Sequence, residues 1–207
     1  MTTADEWARQ GRLLRITRWG EPIMHKPVRP VTSFDDGLHT LVADMFATMI
    51  AADGVGLAAP QVGRDLSMFV YQCPDADDHV QSGVICNPVV SLPEGKERRL
   101  VSVEEGCLSW PGAYQPLARP DHAVCTGWDE NGDPVTVVGT GLLARCLQHE
   151  TDHLNGIVFG DRLSTRSRRK LDEERDSLAH LYPDDWPVTP KLQPAQATED
   201  ASPIPTV

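Results

Sequence analysis

"LLARCLQHETDHLNG", residues 142–156, contains His149-Glu150-Thr151-Asp152-His153, the H-E-x-x-H pattern of a helix that holds a transition metal, and the fold is read outward from it. An α-helix advances about 100° per residue, so His149 and His153 lie about 40° apart, one turn above the other, and both can reach one ion. Glu150 stands about 100° from His149, off the ligand row, where it can exchange protons with an attacking water. Leu142, Leu143, Cys146, Leu147 and Leu154 spread over the same side as Glu150, so this half of the helix is expected to be buried. A carboxylate in an apolar wall has its pKa raised toward a value useful for acid and base work. The competing reading is a pair of core histidines four residues apart. The helix around them, with Thr140 as N-cap and Asn155-Gly156 as a left-handed end, favours the metal.

Two imidazoles make half of a tetrahedral site, and a catalytic site needs a third protein ligand with a fourth position open. In metzincins a histidine follows H-x-x-G-x-x, but "HLNGIVF" places Phe159 there. Other zincins use a later glutamate, for which Glu173 lies at a suitable distance, although the alternating charges of "RSRRKLDEERD" read as a solvated helix face. The remaining candidate is Cys107 in "VEEGCLSWPG", a thiolate suited to a borderline-soft metal and set on a loop shaped by Gly106 and Pro111-Gly112. Cys73, Cys86, Cys125 and Cys146 read as small buried hydrophobes.

The 207 residues suffice for one domain with a sizeable core. Five cysteines without a C-x-x-C pair argue against a disulfide framework and fit a reducing cytoplasm. Asp5 and Glu6 stand where a secretory signal would carry basic and then apolar residues, and no apolar run reaches membrane-spanning length. A net charge of −11 disfavours binding to DNA. The local exception is the basic cluster Arg166, Arg168, Arg169 and Lys170, which suggests transient ribosome contact.

Apolar residues at Leu38, Leu41, Val42, Met45, Phe46 and Met49 predict an amphipathic helix, started by Ser33 or Asp35 and ended by Gly54. Strands are predicted at 66–71, 82–90, 121–129 and 134–139, with "ENGD" joining the last two as a hairpin. A charged helix follows over 164–181. Beyond it Pro183, Pro187, Pro190, Pro194, Pro203 and Pro205 predict a disordered tail that contributes little to the core. The expected organisation is therefore a catalytic domain over 1–182 and a Pro-rich tail over 183–207.

Three segments together resemble the peptide deformylase family: "GVGLAAPQ" (54–61), "EGCLS" (105–109) and "QHETDHLNG" (148–156), in matching order and spacing, within a likeness covering roughly residues 12–180. The resemblance implies an α+β fold, with antiparallel strands packed around a central metal-binding helix and a C-terminal helix. It implies that Cys107, His149 and His153 hold one divalent metal, Fe(II) in cells and replaceable by Zn(II), Ni(II) or Co(II). It further implies hydrolysis of the formyl group from the N-terminal formyl-methionine of nascent polypeptides, releasing formate. Glu150 would move the proton, while the Gln61 amide and the Leu108 backbone N–H would stabilise the oxyanion. Gln61 alone reads as a surface turn residue after Pro60, and the likeness is what promotes it. Gly56 would offer its carbonyl to the substrate, and Val55, Val103, Leu142 and Cys146 would line the methionine pocket. Arg145 and Tyr114 depart from the residues many relatives carry. For Arg145 the readings are a place on the rim of the methionine pocket or a structural salt bridge on the polar side, near Gln148 and Asp152, and the cost of a buried unpaired guanidinium favours the second. The alternatives are a gluzincin-like peptidase using Glu173, and an RNA-associated module with a structural metal, against which the open fourth position argues.

Overall fold

The H-E-x-x-H segment lies in a helix, α3 (Gly141–Leu154), that packs across a five-stranded antiparallel sheet. The computed structural model describes residues 2–193. In chain order the sheet strands are β1 (Gly56–Ala58), β2 (Met68–Pro74) and β3 (Val80–Ser91). A separate hairpin follows, β4 (Leu100–Cys107) and β5 (Trp110–Pro120), before the chain returns to the sheet in β6 (His122–Trp128) and β7 (Pro134–Thr140). The sheet order is β1-β2-β3-β6-β7. The remaining helices are α1 (Ala4–Ala8), α2 (Asp36–Ala51) and α4 (Thr165–Leu178).

Helix α3 is covered nearly all round rather than on one half: every residue from Leu143 to Glu150 is buried. Its Leu143, Ala144, Cys146 and Leu147 share a core with Phe69, Ile85, Ala123 and Cys125 from the sheet. Burying each leucine contributes about 1.5–3 kcal/mol, which holds the helix at a fixed depth. Thr140 occupies the N-cap, but its hydroxyl accepts from Ala76 N at 3.1 Å instead of capping the helix. The left-handed end falls on Gly156, with Asn155 at φ −96.

Helix α2 is capped by Asp35, which accepts from Leu38 N at 3.1 Å and from the Ser33 hydroxyl at 2.8 Å. The left-handed residue that ends it is Asp53 (φ 57), a residue type that tolerates this region, and Gly54 N then bonds Met49 O at 2.9 Å. The β6–β7 hairpin turns as expected at Asp129–Asp133, with Gly132 at φ 85.

Two features were not foreseen. Cys107 ends a strand rather than sitting on a free loop, since β4 and β5 pair from Leu100 with Pro120 through to Cys107 with Trp110. And the first part of the Pro-rich stretch joins the core. Trp186 is 5% exposed beside Tyr182, and its carbonyl accepts from Ile16 N at 2.9 Å. Large aromatic area and a tight edge contact explain why the prolines do not keep this part away. Residues 194–207 of the stretch lie outside the described residues.

Candidate metal centre and active site

The hairpin brings Cys107 against α3. Its Sγ lies 3.3 Å from His153 Nε2, which is 3.1 Å from His149 Nε2, and all three residues are buried. These separations match those a metal about 2.0–2.3 Å from each atom would impose. His149 Nδ1 faces Glu105 Oε1 at 2.8 Å, so in the neutral ring the proton belongs on Nδ1 and the Nε2 lone pair points into the cluster. The donor set, one sulfur and two imidazoles, suits a borderline-soft divalent cation, and the residues present therefore fit one. Glu173 does not approach. It is exposed on α4 and paired with Arg169 at 3.0 Å, which removes the alternative third ligand.

Glu150 is wholly buried, and neither of its carboxylate oxygens has a hydrogen-bond partner among the described residues. Burial, reinforced by the charge of Glu105, pushes its carboxyl well above the usual range. Burial and then the nearby His149 push His153 well below the usual histidine range, keeping the ring neutral and able to donate a lone pair. Burial also drives the Cys107 thiol up, opposed by hydrogen bonds from Ser109. A thiolate in that position calls for a cation beside it.

Gln61, far from being a surface turn residue, is fully buried. Its Oε1 accepts from Ala58 N at 2.8 Å, and this fixes the amide so that Nε2 points toward Cys107 Sγ at 3.6 Å and Ser109 Oγ at 3.4 Å. The backbone holding it is braced by Thr17 N, which donates to Gln61 O at 2.7 Å. Leu108 follows Cys107 in the tight turn between β4 and β5 and is 2% exposed. Gly56 lies so close to α3 that a Cβ there would fall 2.5 Å from Glu150 Oε1 and 2.8 Å from Cys146 Sγ. Only glycine permits this approach.

The pocket residues divide. Val55 and Cys146 are buried together, with Cys146 Sγ donating to Val55 O at 3.6 Å, and Leu142 is half-buried beside them. Val103 is 47% exposed on β4, at the rim rather than within an enclosed wall.

Arg145 makes a structural salt bridge as expected, but in the interior and with another partner. Its Nη1 donates to Glu105 Oε2 at 2.6 Å and to Leu117 O at 3.0 Å, and Nη2 donates to Val101 O at 2.9 Å. The hairpin covers the side of α3 that helical geometry alone leaves to solvent. Asp152 pairs instead with Arg119 at 2.9 Å and with Arg162. Tyr114 packs its ring beneath Gly106, and its backbone N–H donates to Glu174 Oε2 at 3.1 Å.

Sequence reasoning missed Glu105. Its carboxylate takes both Arg119 Nε and Nη2, at 2.8 and 2.7 Å, besides Arg145 and His149. Burial alone would raise its pKa; hydrogen bonds from His149 and Arg119 outweigh that and hold the carboxyl well below the usual range. It thus orients His149, as a metal-bound histidine requires. The available signal was its place two residues before Cys107, on the same face of the strand.

The chain matches a family model described as polypeptide deformylase over residues 13–169. It is 54% identical over 169 residues to peptide deformylase 1 of Streptomyces avermitilis, covering 81% of this chain and 78% of that one. It is 47% identical over 154 residues to the peptide deformylase of Acidothermus cellulolyticus, covering 74% and 81%. The crystal structure of a peptide deformylase from Legionella pneumophila superposes with a TM-score of 0.73 at 39% identity, covering 82% of this chain and 97% of that one. One from Synechococcus elongatus, in complex with actinonin, gives 0.69 at 39% identity, covering 79% and 85%. With a Cys-His-His cluster, a buried glutamate beside it and these likenesses, the chain belongs to the polypeptide deformylase family, metal-dependent hydrolases that remove the formyl group from nascent polypeptides.

Proposed function

We propose that Cys107, His149 and His153 hold one divalent cation, Fe(II) in the cell and replaceable by Zn(II), Ni(II) or Co(II), and that the residues around it remove the formyl group from N-formyl-methionyl chains. Bound there, the cation supplies Lewis acidity, which makes a water molecule a stronger acid. Glu150 takes the proton from the attacking water and later delivers it to the leaving amine nitrogen. Its raised pKa suits both halves of that transfer. The Gln61 amide and the Leu108 backbone N–H donate to the oxygen that becomes negative at the formyl carbon, each worth about 3–4 kcal/mol in the transition state. Gly56 offers its carbonyl to the substrate backbone. Val55, Leu142 and Cys146 receive the methionine side chain, with Val103 at the rim.

One observation carries this reading: a buried carboxylate without a hydrogen-bond partner among the described residues stands beside three converging soft and borderline donors. The test is formate release from formyl-Met-Ala-Ser, prepared anaerobically with metal analysis. Activity proportional to bound metal, with iron the occupant, is the expected result. Formate release unaffected by stripping the metal would overturn it.

The same reading places the protein in the cytoplasm, with a transient ribosome contact. Arg168 lies over the adjoining rings of Trp19 and Trp110, its Cζ 4.3 Å from each centroid, and Arg169 pairs with Glu173. That leaves Arg166 and Lys170 as the contacting charges. Reversing both should weaken co-sedimentation with ribosomes at low salt, and unchanged co-sedimentation would remove the contact.

A further inference from the structure

Strand β3 is 12 residues long, and only part of it is paired on both sides. Its first half pairs with β2, from Val80 with Pro74 to Cys86 with Met68, whereas pairing with β6 starts at Cys86 with Trp128. Among the described residues no strand covers the other edge over 80–85. Gln72 N donates to Val55 O on the β1 side, so Tyr71 and Cys73 turn toward β3 and bond Gly83 and Gln81. Ser82 and Val84 therefore direct their N–H and C=O groups outward. An open edge is ordinarily blunted by charge, proline or a covering element, and "VQSGVI" (80–85) has neither charge nor proline.

This edge forms one wall of a groove of about 990 Å³, a volume suited to a short peptide segment. Tyr71, Val135 and Val137 line the side that belongs to the core under α3, and Glu6, Trp7 and Phe46 line the side of α1 and α2. Asp129 and Glu130 of the β6–β7 turn line it as well, tied to α2 by His39, whose Nε2 lies 3.0 Å from Glu130 O. Its lining residues include three carboxylates and no Lys or Arg. We propose that the groove takes an extended basic segment of another protein, which adds to β3 as a further strand. Successive side chains of a strand point to opposite faces, so apolar ones would meet Tyr71 and Val137 while Lys or Arg would reach Glu6 and Glu130. Main-chain bonds to Ser82 and Val84 supply affinity, and the alternation supplies selectivity. A second copy of this chain fits less well, because joining two such edges sets one acidic groove against another. The chain's own residues 194–207 carry Glu199 and Asp200 and no Lys or Arg, so they lack the complementary charge.

The experiment titrates the isotope-labelled, zinc-loaded full chain with acetyl-Lys-Val-Lys-Thr-Lys-Val-amide at low ionic strength and follows the backbone amide resonances. The Ser82 and Val84 amides should shift and gain protection from exchange, while those of Gln81 and Gly83, already bonded to β2, move less. The analogue acetyl-Glu-Val-Glu-Thr-Glu-Val-amide should bind about tenfold more weakly or worse. Ser82→Pro removes an outward N–H at an edge position that tolerates proline, and should weaken binding about three- to tenfold. Glu130→Lys should weaken it about two- to fivefold, and less at high salt. Both variants should release formate at the rate of the unaltered chain, which separates a lost edge contact from a lost fold. Ser82 and Val84 amides that stay in place up to about 1 mM peptide, or equal affinity for the acidic analogue, would overturn the proposal. So would shifts of these amides with protein concentration alone and a doubled mass in sedimentation, which would make the occupant a second copy.

Discussion

At Glu150, burial and the absence of a hydrogen-bond partner among the described residues put a proton-carrying group next to a donor cluster in which it takes no part. Replacement by glutamine keeps the shape and removes the proton transfer. Glu150→Gln is therefore expected to lower kcat by about 10²- to 10⁴-fold with metal still at one per chain. Loss of the metal in that variant would make Glu150 a ligand instead. Cys107→Ala should lose metal and activity together, because two imidazoles alone leave the cation without its sulfur donor. A variant with its full complement of metal would mean that another group closes the site. The convergence of His149 and His153 was legible because an i, i+4 spacing on a helix is a geometric statement in itself, whereas Cys107 entered through its soft donor and the likeness of three segments. Glu105 and Arg145 were not legible, because what each touches is decided by a hairpin folded over the far side of the helix.

The hairpin of β4 and β5 is the element least legible in the sequence. Leu100, Ser102, Val103 and Glu104 are exposed, Pro111 and Pro116 interrupt β5, and among the described residues the pair joins no larger sheet, so no alternation of apolar residues announces it. The main sheet strands, by contrast, are half-buried Val- and aromatic-rich runs between turn residues, and sequence reading finds four of them. Trp110, Ala113 and Leu117 pack the hairpin on Phe159 and Leu171, whereas its contact with α3 is polar: Glu105 on β4, Arg119 on β5 and Arg145 on α3 meet at 2.6–2.8 Å in the interior. Removing one partner of a buried network leaves charge uncompensated, at a cost of about 3–5 kcal/mol. Arg145→Met should destabilise the fold by about that amount in urea unfolding. A change within about 0.5 kcal/mol, the range of ordinary surface substitutions, would mean that Arg119 and His149 suffice for Glu105.

Over the whole molecule, four separate stretches of chain are laced together behind the catalytic groups. Ile16 N bonds Trp186 O, Thr17 N bonds Gln61 O, and Trp19 N bonds Ser109 O at 3.0 Å, so one extended segment ties the C-terminal stretch to Gln61 and to the residue that follows Leu108. The prolines hide this in the sequence, since Trp186 stands alone among polar and turn-forming residues, and its burial depends on a groove made by distant parts of the chain. A chain ending at Tyr182 loses the Trp186 side chain from the core and the acceptor for Ile16. Deleting a buried tryptophan costs about 3–5 kcal/mol. In a domain of this size that corresponds to a Tm lower by about 6–20 °C. Because the same segment holds Gln61 and Ser109, kcat should fall with stability, whereas KM for the methionine side chain, bound by Val55, Leu142 and Cys146, should change less. Thermal melts and steady-state kinetics of the truncated and full chains decide the matter: equal Tm and equal kcat would show that the segment from Pro183 rests on the domain without holding the site in place.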